Sequence, residues 1–162
     1  MIRYGFNANI SESLRKILSG QGYVFTDIFL DVGTNDSAFI RFKTNDKTSH
    51  IIITIESEGK AIFNTYSGTT YTDGGTPTNY FNRKTSASDS GDVEIYKSPT
   101  VDNLGDIRGH RLILGGTVGQ TTGATGGDII ESIIGKNTEF LIEVKNVSTA
   151  AKDIGIVLDW HE

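Results

Sequence analysis

Cysteine is absent from this chain, which excludes disulfides and thiolate chemistry and makes stability independent of redox compartment. Proline is nearly absent, with Pro77 and Pro99 alone against 19 glycines. Histidine is scarce: His50, His110 and His161 have none of the short-range spacings of a zinc motif, so no metal site is expected. A formal charge of −5 and a pI near 5.2, with no gathering of basic residues, argue against a general nucleic-acid binder. No apolar run reaches signal-peptide or membrane-span length, which predicts cytoplasmic synthesis and no membrane partner.

What remains is rich in Gly, Thr and Asn and in short alternating apolar runs, the mark of an all-β chain. The last quarter has the clearest pattern. Phe140, Ile142 and Val144 alternate on one side of a polar connector, Asn146–Lys152, and Ile154, Ile156 and Leu158 on the other, up to the single Trp160. This spacing predicts a β-hairpin with one apolar face. A second tight hairpin is expected about Glu58-Gly59, joining His50–Ser57 to Lys60–Tyr66. Further strands are expected at Tyr23–Asp31, Ala38–Thr44, Asp92–Lys97, Arg108–Leu114 and Ile129–Ile134.

Eight or nine strands without alternating helices exclude a doubly wound α/β fold, and two long loops favour a jelly-roll-like β-sandwich. Residues 1–22 read differently: Ser11 and Gly20 bracket a short helix in which Leu14, Ile17 and Leu18 share a face, and the segment before it, Met1–Asn9, fits a strand or an extended arm. The domain plan is therefore an arm and helix over 1–22 and a sandwich over 23–162.

No catalytic constellation stands out. The glycine-rich run Gly115–Gly127 lacks the lysine ending and spacing of a phosphate loop. Asp106, Arg108 and His110 alternate on one strand, but one histidine does not make a cupin metal centre. Carboxylate pairs such as Glu56 with Glu58 read as strand-edge charges. Neither an enzyme nor a cofactor is expected. The longest aperiodic region, Ser67–Gly91, sets Tyr71, Tyr80 and Phe81 beside Asn79, Asn82, Arg83 and Lys84. Aromatics beside amides and bases suit a contact surface for protein or glycan, and equally suit anchoring a long loop to its own sheet.

The ending resembles that of small bacteriophage virion proteins of the head-decoration, or capsid cement, type. The resemblance rests on Gly126-Gly127, Glu131 with Ile133-Ile134, Asn137-Thr138-Glu139-Phe140-Leu141, Asn146-Val147-Ser148 and Trp160-His161-Glu162. The stretch Asn79–Arg83 and the turn Ser98-Pro99-Thr100 are similar as well. The resemblance implies a β-sandwich on the phage head surface, bound to the major capsid protein and to its own copies as a trimer or dimer. Contacts are then expected from the arm and helix, through Tyr4, Phe6 and Leu14, and from the long loop, through Tyr71, Tyr80, Phe81 and Arg83. The alternative is a head-fibre, tail-associated or receptor-binding module whose loop 71–84 binds host glycan.

Overall fold

The computed structural model describes residues 11–88, 90–116 and 130–162. Ser11 caps helix α1 (Glu12–Leu18) by accepting a hydrogen bond from the Leu14 amide, and Gly20, at φ +84°, lets the chain turn out of it. Strand β1 (Gly22–Val32) follows at once. Ile17 closes over Gly22, where a Cβ would stand 2.6 Å from Ile17 Cγ1, so the helix packs on its own sheet. Of its apolar residues, Leu14 and Leu18 remain exposed. Tyr4 and Phe6 lie outside the described residues.

The rest is β-structure. Strands β2 (Ser37–Thr44), β3 (Ser49–Ser57) and β4 (Ala61–Ser67) are followed by five short segments: β5 (Thr70–Asp73), β6 (Thr76–Thr78), β7 (Phe81–Asn82), β8 (Val93–Lys97) and β9 (Thr100–Asn103). Then come β10 (Asp106–Ile113), β11 (Ile130–Ile134), β12 (Glu139–Asn146) and β13 (Lys152–His161). They form a five-stranded sheet, β11-β3-β13-β1-β7, a six-stranded sheet, β10-β4-β12-β2-β8-β6, and a separate β5-β9 ribbon. All pairings are antiparallel.

Eight strands make the frame: β11-β3-β13-β1 in one sheet and β10-β4-β12-β2 in the other. Along the chain each frame strand changes sheet, except that β4 and β10 pair directly. That is the double Greek key of a jelly roll. The fold expected from the pattern is therefore present, and the five short segments are an insertion between β4 and β10.

Both expected hairpins are corrected. β12 and β13 lie in different sheets, and so do β3 and β4. Their connectors are arches that carry the chain across the core. Asn146 shows why the last one arches: its side-chain amide donates to the carbonyls of Val32 and Ala150, at 2.8 Å each, while its backbone bonds Asn35 and Asp36 of the β1–β2 connector. Buried backbone groups that a hairpin ladder would satisfy are met instead by a neighbouring arch.

Between the sheets lies one apolar core. Ile51, Ile53 and Ile55 of β3 and Ile154, Ile156, Leu158 and Trp160 of β13 point into it from one side, Ile40, Phe42, Phe63, Ile142 and Val144 from the other. Trp160 is its aromatic centre, stacked on Tyr23 at 5.6 Å and edge-on to Tyr80 at 4.8 Å. A register shift between Ile107 and Gly109 interrupts the β10–β4 pairing, and beyond it Leu112 and Leu114 are exposed while Ile113 is buried.

Candidate contact surface

Strand alternation decides what each sheet shows to solvent. On β1, Tyr23 and Phe25 point inward, so Val24, Thr26, Ile28 and Leu30 line the outer face. Phe81 of β7 is registered opposite Val24 and joins that row. Three of these side chains are large, apolar and open: Ile28 at 59 %, Leu30 at 70 % and Phe81 at 73 % of full exposure. The rows continue across β13 and β3, where Val157 faces Thr54 and Asp159 faces Ile52, and end on β11 with Ile133, 78 % exposed. Exposed apolar side chains on a sheet that has already filled its core mark this face as the candidate contact surface.

The long loop frames this surface, and its aromatics divide. Phe81 faces out as expected, and Arg83 stays at the surface, its Nη1 2.7 Å from the Asp159 carboxylate. Tyr80 turns in: its ring packs on Tyr23 and Trp160, and its hydroxyl donates to the Gly91 carbonyl at 2.8 Å. Burial, with the Glu162 charge nearby, pushes that phenol up to about 12. Tyr71 is also drawn in, on the other sheet. The Arg41 guanidinium lies over its ring at 4.9 Å and over Tyr96 at 4.6 Å, and ion-pairs with Glu139 at 2.6 Å. Burial, then the Glu139 charge, raises the Tyr71 phenol to about 12. Of the four loop residues expected to make contacts, two are anchors and two remain available.

The outer face of the six-stranded sheet is built around a buried polar network, beside which Leu112 of β10 lies exposed. Glu143, buried on β12, accepts from Ser37 Oγ at 2.6 Å, Asn64 Nδ2 at 2.7 Å and the Tyr66 hydroxyl at 2.8 Å. Asn64 passes the chain of bonds to His110 Nδ1 at 2.6 Å. Burial first, and then the bond to Glu143, lifts the Tyr66 phenol to about 12. Both oxygens of this carboxyl accept hydrogen bonds, so the network ties β12 to β2 and β4.

A cleft of about 330 Å³ opens where the sheets part, between β11 and the β4–β10 edge, lined by Thr65, Ile133, Ile134, Thr138 and Phe140 with Arg108 and Glu139 among its polar residues. No sequence pattern marks this cleft, because it depends on how two sheet edges lie relative to each other. Sequence reasoning also missed that His50 and His161 meet. Their numbers are far apart, and only the β3–β13 register puts them side by side.

The chain matches no protein-family model, no curated protein and no solved structure.

Proposed function

We propose that this chain is a structural protein of a virus particle, a decoration or cement protein that binds the outside of a bacteriophage head through the outer face of the five-stranded sheet. The observation that carries the reading is the row Leu30, Ile28 and Val24, interrupted by Thr26 and flanked by Phe81, in which three large apolar side chains are open to solvent on a sheet whose core side is already packed. A jelly-roll frame supports it, since a stiff double sheet presents such a face without folding cost on binding. The likeness of the C-terminal residues to head-decoration proteins points the same way. The partners are the major capsid protein and further copies of this chain, as a trimer or dimer. Repeated weak contacts on a shell then add by avidity, and binding only to the assembled state stabilises it.

The competing reading, glycan contact by residues 71–84, loses two of its aromatic faces, since Tyr71 and Tyr80 are occupied within the fold. The test is the number of copies of this chain per particle in purified virions, read by quantitative mass spectrometry against the major capsid protein. Copies in the hundreds support decoration. A dozen or fewer move the protein to the tail or a fibre, and absence from the particle rejects the reading. In reconstitution, Leu30→Ser with Phe81→Ser should abolish shell binding.

A further inference from the structure

At the end of the five-stranded sheet away from Leu30, His161 of β13 stands directly opposite His50 of β3. Nε2 of His161 is 3.2 Å from Nδ1 of His50, with the rings at 76° to each other. The other nitrogen of His50, Nε2, hydrogen-bonds the Glu131 carboxylate on β11. A carboxylate only accepts, so Nε2 of His50 holds a proton, and in the neutral ring Nδ1 then carries the lone pair. Nε2 of His161 is the atom aimed at it.

We propose that this pair is a transition-metal site, in which His50 through Nδ1 and His161 through Nε2 chelate one divalent ion of the copper or zinc class. Two imidazole nitrogens each about 2.0–2.1 Å from a tetrahedral ion stand about 3.3 Å apart, close to the spacing the strands already impose. The ion takes the place of the shared proton: His161 loses it from Nε2 to solvent and takes one up at Nδ1, so no net charge is consumed. Glu131 then does what an outer carboxylate does for a ligating histidine, fixing the tautomer and raising its basicity.

Among the described residues no three His, Cys, Asp or Glu side chains converge. The protein therefore supplies two ligands, and water or an added donor supplies the rest. Such a site is exchangeable and follows the general order of divalent affinities, with Cu²⁺ above Zn²⁺. The inference rests on this geometry alone and is independent of the virion reading.

The experiment is titration of the untagged full chain with CuCl₂ and ZnCl₂ near neutral pH in a non-chelating buffer, followed by calorimetry and by side-chain histidine ¹H–¹⁵N spectra. Expected is saturable binding of one ion per chain, tighter for Cu²⁺, with resonances of His50 and His161 shifting and those of His110 unmoved. His50→Ala and His161→Ala should each lower affinity by at least about tenfold, and Glu131→Gln by about 10- to 100-fold, while His110→Ala should not. No saturable binding at millimolar metal, or shifts confined to other residues in the wild-type spectra, would overturn the proposal even if a variant failed to fold.

Discussion

The ring of Phe42, on the six-stranded sheet, meets the indole of Trp160, on the five-stranded sheet, edge-on at 5.6 Å and 88°. Both are fully buried, so this contact is a direct bond between the two layers of the sandwich. Trp160→Ala should cost about 3–5 kcal/mol, read as a lower urea midpoint with an unchanged slope. Trp160→Phe should cost clearly less, because Nε1 finds no hydrogen-bond partner among the described residues and its removal leaves no donor stranded.

Adjacent aromatics should behave oppositely. Tyr80→Ala removes a ring packed on Tyr23 and Trp160 and should destabilise by roughly 2 kcal/mol. Phe81→Ser and Leu30→Ser, both on the open face, should each change stability by less than about 0.5 kcal/mol. Thermal melts of the three variants decide it. Equal losses would mean that Phe81 is covered within the monomer.

Glu143 holds three donors from two neighbouring strands. Glu143→Ala leaves all three without their acceptor and should cost about 3 kcal/mol, whereas Tyr66→Phe removes one donor and should cost about 1 kcal/mol. Chemical denaturation of the pair gives the ranking. If Tyr66→Phe proves the more damaging, the hydroxyl contributes through something other than its bond to Glu143.

Glu94 sets an acid limit. The Tyr96 hydroxyl at 2.5 Å, then Asn45 and Lys43, hold its carboxyl down at about 2 against an ordinary 4.5. The folded value lies below the unfolded one, so the contribution is complete above pH 4.5 and is lost as pH falls from there toward 2. Glu94→Gln should be less stable than wild type at neutral pH, and the gap should close across that window. A gap constant down to pH 2 would show that the carboxylate's charge contributes nothing.

How much of this was legible follows from what a period of two can carry. It says which residues face inward, and Ile51, Ile53 and Ile55, or Ile154, Ile156 and Leu158, are buried as their alternation requires. It does not say which strand lies alongside. Glu58-Gly59 and Asn146–Lys152 have the length and polarity of hairpin turns, yet both connectors are arches between sheets, and in the second Asn146 bonds a distant connector that no local pattern reveals. Helix α1 was readable because its signals are local, the Ser11 cap and Gly20 stop. Tyr80 lies just before the two-residue strand β7 and turns in, whereas Phe81 begins that strand and faces out, and the aperiodic loop carries no phase to tell them apart. The His50–His161 pair needed the register of two strands, for which the sequence offered no signal.

The β13 strand lies between β3 and β1, at the middle of its sheet, so Tyr23 pairs with Trp160 and Ile51 with the same residue from the other side. A nascent chain lacking residues 152–161 therefore has a sheet with a gap at its centre and a core without its indole. Early strands must wait for the last one, and topologies dominated by such distant pairings fold in milliseconds to seconds. During that wait the β1 and β3 edges are open templates for pairing with another chain. Productive assembly can begin only once synthesis has passed Trp160, and production at high expression rates is where misassembled material will accumulate.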